Sequence, residues 1–383
     1  MFEIKTTYLD NSTQIEFPCD GYHLYANMDK LHIPDSEKPV MQLFVNEINY
    51  EELKGLENQF VDPDVLNFLA QRMDSFDKNE RKKFEAVVKT FNIDNPRELV
   101  NLTFNMHYYT LVDDMSDMEK VGKIHMLTRY QALSADNSEG YDFYNIGQKL
   151  MESETGRLTQ YGIIFVNDDL PYEKPYQGNN LPNFEYDSNK IVTLKLQYGG
   201  NTAYVHLPDS PFALARAVAR IGAEDLNDCE VSIEHWRSDV QSYRYVFENI
   251  LKHESAYELN CVIKELDKLY DWQLQKLRAV IDYAKVSDSE RIGKLAQNTD
   301  KFICYKDVCT DEELARTWID NHSEYEIHID LEEYFDFVEY GKDVCNNIDG
   351  HYSSTYGFVG IVEGYDIKEI LGQHEEQNFT MQM

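Results

Sequence analysis

The sequence predicts an α+β fold, elongated and built from small subdomains in two tandem modules, and three observations carry that prediction. Segments of the first half recur in the second, in the same order, at nearly constant offset. Each copy contains two consecutive stretches with apolar residues at helical spacing. Strand-like runs with turn residues between them stand beside these helices.

The duplication is clearest where LNFLAQRMDSFDKNERKKFEAVV (66–88) aligns with LNCVIKELDKLYDWQLQKLRAVI (259–281), matching Leu66 with Leu259, Asn67 with Asn260, Asp74 with Asp267, Lys83 with Lys276 and Ala86 with Ala279. Upstream, FPCDGYHL (17–24) parallels LPDSPFAL (207–214). Downstream, YDFYNIGQKL (141–150) parallels FDFVEYGKDV (335–344), and Tyr161-Gly162 parallels Tyr356-Gly357. Shared helical patterning explains similar apolar stripes, but it does not generate the Gly147/Gly341 and Gly156/Gly350 matches. The expected organisation is a first module at 1–166, a connector with a β-hairpin at 167–204, a second module at 205–363 and a tail at 364–383.

Within the first module, Leu66, Leu69, Met73 and Phe76, then Phe84, Val87, Val88 and Phe91, predict two amphipathic helices joined at Ser75-Phe76-Asp77. The second repeats them at Leu259, Val262, Ile263, Leu266 and Leu269, then Leu274, Leu277, Val280 and Ile281. Two further helices are expected after the capping boxes Ser287–Glu290 and Thr310–Glu313. Each module is expected to close with a short aromatic segment and a turn before a strand, YDFYNIG…YGIIFV and YFDFVEYG…YGFVGIV. KIVTLKLQYG and NTAYVHL read as strands of a hairpin turning at Gly199-Gly200-Asn201.

Charge is the other strong signal. The chain has 69 acidic against 36 basic residues, a net charge of −33, yet 42% of its residues are apolar and 27 are tyrosine. That composition supports a packed fold rather than a disordered acidic tail, so the charge is expected on its surface. Duplex DNA carries one charge per roughly 1.7 Å, so the excess equals about 56 Å of duplex, on the order of 16 base pairs. Solubility alone is the plainer reason for an acidic chain.

Other chemistries find no support. The N-terminus lacks a signal peptide's basic start and apolar run, and no stretch approaches a membrane span, which suggests a cytoplasmic protein. Cys19, Cys229, Cys261, Cys304, Cys309 and Cys345 form no CxxC pair and read as buried thiols. The sequence has no HExxH, GxSxG, GxGxxG or Walker lysine motif, and His322 and His328 fit no common zinc spacing. Asp62-Pro63-Asp64 reads as a helix start, not a metal pair. No catalytic residue, metal or cofactor is expected.

Acid is densest from Asp307 to Asp343, with thirteen acidic residues against Arg316 and Lys342. They alternate with Trp318, Tyr325, Leu331, Tyr334, Phe335, Phe337 and Tyr340, so the stretch is expected to fold with one apolar face and to leave its carboxylates in solvent. Fixing like charges on a rigid face costs self-repulsion, which implies selection for something other than stability.

Residues 329–359, IDLEEYFDFVEYGKDVCNNIDGHYSSTYGFV, resemble the C-terminal signature of the ArdA antirestriction proteins: a Tyr/Phe-rich acidic segment, a Gly-Lys-Asp element, a glycine and a final aromatic-Gly strand. LPDSPFALARAVARIG and the helix pair at 258–281 are similar to that family's earlier portions. The first module resembles it more weakly, since Gln148 and Lys149 stand where the second has Lys342 and Asp343. The resemblance implies a non-enzymatic DNA mimic, carried by a mobile element, whose carboxylates occupy the DNA groove of a type I restriction-modification enzyme or another DNA-binding defence complex. It further implies that two fused modules act as one monomeric pseudo-dimer, or as a homodimer, without binding nucleic acid or membrane. The candidate partner-binding carboxylates are Asp311, Glu312, Glu313, Asp320, Glu324, Glu326, Asp330, Glu332, Glu333, Asp336, Glu339 and Asp343, with Glu265, Asp267 and Asp271. Asp113, Asp114, Asp117 and Glu119 are the first module's counterparts. The competing readings are a non-mimetic interaction module of a mobile element, and a hydrolase with an unrecognised carboxylate site.

Overall fold

The computed structural model describes residues 1–130, 140–322, 327–353 and 356–372, and it is a mixed helix and sheet structure with several small sheets. The chain opens with an antiparallel hairpin that the sequence reading passed over, β1 (Phe2–Tyr8) and β2 (Asn11–Phe17), with Phe2 opposite Phe17 and Ile4 opposite Ile15. These four side chains are buried, as the period-2 pattern of a one-sided sheet requires. Strands β3 (Leu43–Ile48) and β4 (Phe60–Val61) extend the sheet in the order β2-β1-β3-β4. The expected second hairpin is present as β8 (Val192–Tyr198) and β9 (Asn201–Leu207). Gly199 and Gly200 have φ of 56° and 86°, the left-handed pair that a tight hairpin turn demands. With β10 (Glu230–Trp236) they form the order β10-β8-β9.

Helix α1 (Gly21–Lys30) follows the first hairpin. Helices α2 (Pro63–Asp74) and α3 (Lys78–Phe91) are the expected pair; Asp62 caps α2 by accepting the Asp64 N–H, and Asp77 with Glu80 forms a capping box on α3. Helix α4 (Pro96–Phe104) completes the set. The later half has α7 (Pro211–Arg220), α8 (Arg244–His253), α9 (Ala256–Leu266), α10 (Asp271–Ala284) and α11 (Ser289–Gln297). The cap of α11 is Asp288, which accepts the Arg291 N–H, not Ser287: the carboxylate competes better for the orphan donor.

The segments expected as aromatic turns are helices, because Asp142 and Asp336 each cap the N–H three residues on and start a helix. These are α6 (Phe143–Glu152), which packs on α5 (Met118–Tyr130), and α13 (Phe337–Asn347), which packs on α12 (Asp311–Asn321). Thr310 and Glu313 cap α12 as expected. Strands β5 (Tyr109–Val112), β6 (Arg157–Thr159) and β7 (Gly162–Val166) have the order β5-β7-β6; β11 (Phe302–Lys306), β12 (His351–Ser353) and β13 (Gly357–Ile361) have the order β11-β13-β12. A short α14 (Ile367–Ile370) is the last described helix. At Gly147 an added Cβ would lie 2.0 Å from the Met118 carbonyl oxygen, and at Gly341 it would lie 1.8 Å from that of Asp311. Both helix pairs therefore depend on glycine for their approach.

The chain divides into two compact units, and the division falls inside the β8–β9 hairpin. The first unit holds 1–188, 195–205 and 209–230; the second holds 189–194, 206–208 and 231–383. The first has a large core including Phe2, Ile4, Phe17, Leu66, Leu69 and Phe84, and a smaller cluster of Val112, Val121 and Phe165. A cluster in the second comprises Val308, Leu314, Val344, Ile348 and Phe358. No described helix is long and apolar enough to cross a membrane. All six cysteines are unpaired, but the expectation of burial fails: Cys261 and Cys309 are exposed and the others are half-buried, since they sit at the edges of apolar stripes.

Buried cations among the described residues, Lys38 and Arg216, lie in the first unit. Arg216 of α7 is 3% exposed; its Nη2 donates to Asp62 at 2.6 Å, its Nε to Asp64 at 3.1 Å, and its Nη1 to the carbonyls of Lys38, Pro39 and Met41. Arg220 adds a 2.6 Å contact to Asp64. Burial and the neighbouring Asp64 push the Asp62 carboxyl up; at Asp64 burial works in the same direction, but the two guanidinium groups hold it below the usual range. Replacing Arg216 with Met leaves two desolvated carboxylates sharing Arg220. Urea denaturation of this variant is expected to show a loss of about 3–5 kcal/mol in the first unit. Gly341→Ala should cost about 1–3 kcal/mol through overpacking, read from the same unfolding curves.

Candidate functional site: the carboxylates of residues 265–343

The second unit places the acidic stretch on three elements rather than one. Residues 311–321 form α12, 329–334 form a 3-10 turn and 337–347 form α13. Glu324 and Glu326 lie outside the described residues, as does the side chain of Asp330. Leu314, Ala315, Phe337 and Val344 are buried, while Glu312, Glu313, Asp320, Glu332, Glu333, Asp336, Glu339 and Asp343 are exposed and Asp311 is half-buried. Of the aromatic residues expected as anchors, Phe337 fills that role, but Tyr334 is 79% exposed. It belongs to the 3-10 turn, whose geometry does not continue the α-helical stripe that spacing alone suggests.

Several of these carboxylates serve the fold. Asp311 accepts the Tyr352 hydroxyl at 2.7 Å, and burial together with that bond raises the tyrosine's pKa. Glu313 accepts the backbone N–H groups of Cys309 and Thr310 at 2.8 and 3.1 Å, which holds its carboxyl below the usual range. Asp336 caps α13 through the Glu339 N–H at 3.0 Å. Glu312 pairs with Arg316 at 3.1 Å, and that guanidinium lies 3.8 Å over the Phe337 ring, tying α12 to α13. Glu339 pairs with Lys342 at 3.4 Å.

Asp320, Glu332, Glu333 and Asp343 make no ion pair or hydrogen bond among the described residues. Asp320 and Asp343 are exposed on α12 and α13, the two helices that approach at Gly341, and Glu332 and Glu333 are exposed on the 3-10 turn. A second group lies at the junction of α9 and α10, where Glu265 is half-buried and pairs with Lys268 at 2.8 Å, while Asp267 and Asp271 are exposed. Arg237, held by Asp239 at 2.8 Å, is the cation whose pKa these two carboxylates help to raise. Beside them Tyr270 is 72% and Trp272 61% exposed. The sequence reading missed this pair, although Trp272 falls off the Leu274, Leu277, Ile281 stripe and its exposure was readable from that spacing.

In the first unit two of the four comparable acids are held in ion pairs. Lys120 pairs with Asp114 at 3.1 Å, and Lys123 with Glu119 at 2.7 Å. Hydrogen bonds from Ser116 and then Lys120 bring Asp114 down to about 2. No group of His, Cys, Asp and Glu among the described residues is placed to hold a metal. His322 stacks on Trp318 with ring centres 4.1 Å apart.

No curated protein matches the chain. Residues 201–359, which run from β9 into β13 and include every candidate carboxylate of the second unit, match the model of the ArdA family, described as antirestriction protein.

Proposed function

We propose that the chain is an antirestriction protein that occupies the DNA-binding groove of a restriction-modification complex, a type I enzyme being the class the resemblance implies, and that it does so by mimicry, without turnover. The observation that carries this reading is the set of exposed, unpaired carboxylates, Asp320, Glu332, Glu333, Asp343, Asp267 and Asp271, inside the segment that matches the antirestriction family. A groove lined by Lys and Arg meets negative charges already fixed on helices, with no cost of bending DNA.

The organisation proposed for it is two tandem modules that act as one pseudo-dimer or assemble as a homodimer, in the cytoplasm. The recurrence of strand order, β5-β7-β6 and β11-β13-β12, and of the two glycine-dependent helix crossings supports the duplication. The family match, which covers 201–359, favours the second module as the active one.

The fivefold variant Asp330→Asn, Glu332→Gln, Glu333→Gln, Asp336→Asn, Glu339→Gln tests the site. Asn caps a helix about as well as Asp, so α13 is expected to keep its start and the melting temperature to hold or rise. Protection of DNA from restriction should fall by about tenfold or more, because single rim charges count for little and only the set acts together. A folded variant that protects as well as the parent moves the active array elsewhere.

Inhibition is also expected to be competitive with DNA and to weaken steeply between low and high salt, while the pure protein leaves labelled duplex unshifted in a gel. Non-competitive inhibition that ignores salt would point to an ordinary protein–protein inhibitor instead.

A further inference from the structure

Cations are few in this chain, yet three groups able to carry positive charge line one cavity in the first unit. It has a volume of about 410 Å³ and lies among α2, α3, the end of α4, the following 3-10 turn and α5, with Arg72, Lys83 and His107 in its wall and Thr103, Phe104 and Glu80 beside them. Arg72 and Lys83 keep donors that the described residues do not use. Arg72 donates from Nε and Nη2 to Thr103 Oγ1 and O at 3.3 and 2.9 Å and stacks over Phe104 and Phe184, which leaves Nη1 without a hydrogen bond among the described residues. His107 lines the wall, but its Nδ1 is buried away from solvent and has no partner among the described residues. Lys83 makes no ion pair or hydrogen bond among the described residues, and burial pulls its amine down to about 8 against the weaker opposing pull of Glu80. Glu80, one of whose oxygens accepts the Asp77 N–H at 3.0 Å, makes no close ion pair with Lys83.

The second half supplies an internal contrast. At the matching positions Lys276 is kept and is likewise lowered by burial, but Arg72 is replaced by Glu265 and His107 by Asp300. The cluster of cations is thus particular to the first copy and is not demanded by the helix packing that both copies share.

We propose that this cavity binds a small phosphate-bearing molecule, its phosphate held by Lys83 Nζ and Arg72 Nη1. Two fixed positive charges match the charge of about −1.5 to −2 that a phosphate monoester carries near pH 7, and a volume of several hundred Å³ suits a sugar phosphate rather than a bare ion. The site is independent of the antirestriction reading and stands or falls without it.

The test uses the full chain at constant ionic strength in chloride. Calorimetric titration with ribose 5-phosphate and with inorganic phosphate should show saturable 1:1 binding, tighter for the sugar phosphate. Acetylation of Lys83, followed by mass spectrometry against pH, should have its midpoint near pH 8 in the free protein and shift upward by about one unit when ribose 5-phosphate is present. Lys83→Gln should weaken binding by about tenfold, and Lys276→Gln should leave it unchanged. Two outcomes overturn the proposal: no saturable heat with either probe, or a Lys83 midpoint that sulfate and chloride move as much as phosphate does. The labelling experiment needs only the parent protein, so it decides the matter even if the Lys83 variant does not fold.

Discussion

Like charge is the constraint under which everything else in this molecule is arranged. With 69 acidic residues against 36 basic ones, the folded state confines repulsion that an unfolded chain relieves by expanding, so each cation matters more than in a balanced protein. The cations are placed where one element must be fixed to another. Arg216 joins α7 to the start of α2; Lys38, 2% exposed, is held by Asp29 and Asp35 under the Tyr25 ring; Arg316 bridges Glu312 and Phe337. Arg216 and Lys38 are buried, while the Arg316–Glu312 pair stays at the surface.

Rigidity is the complementary requirement. An array of negative charges attracts a basic partner best when its members do not drift apart in the free protein, because the entropy of holding them is then lost on folding and not on binding. The α12–α13 crossing meets that requirement through backbone contact. With hydrogen at the Gly341 Cα, the helix axes approach more closely than any side chain permits, and the apolar faces of Leu314, Phe337 and Val344 close behind the contact. The same device at Gly147 sets α6 against α5, on a face whose charges are largely paired.

Much of this was legible from residues. The helix pairs at 63–91 and 256–284 follow from apolar spacing, and the Gly-Gly turn of the second hairpin follows from its need for positive φ at both positions. What escaped was decided by local competition or by distant partners. Asp288 displaced Ser287 as a cap because a carboxylate is the stronger acceptor; Asp142 and Asp336 started helices where aromatic density had suggested turns. The first hairpin went unnoticed because its turn, at Leu9, lacks the usual glycine or asparagine at the residue with positive φ. In the acidic stretch, sequence could locate the carboxylates but not separate Glu313, engaged by backbone donors, from Glu332 and Glu333, whose carboxylates have no partner among the described residues. That distinction depends on where Cys309 and Thr310 place their N–H groups.

The clamp around Arg216 has a consequence for how such a chain can be cut or recombined. Covalent order assigns α7 to the later half, where the family match begins, but packing assigns it to the first compact unit. A fragment ending before α7 keeps Asp62 and Asp64 but loses the guanidinium groups that make their burial tolerable; a fragment beginning at α7 carries Arg216 without its acceptors. The clamp stays whole only in a piece of chain that carries both Asp62–Asp64 and Arg216–Arg220, so a cut placed between them separates buried charges from their partners.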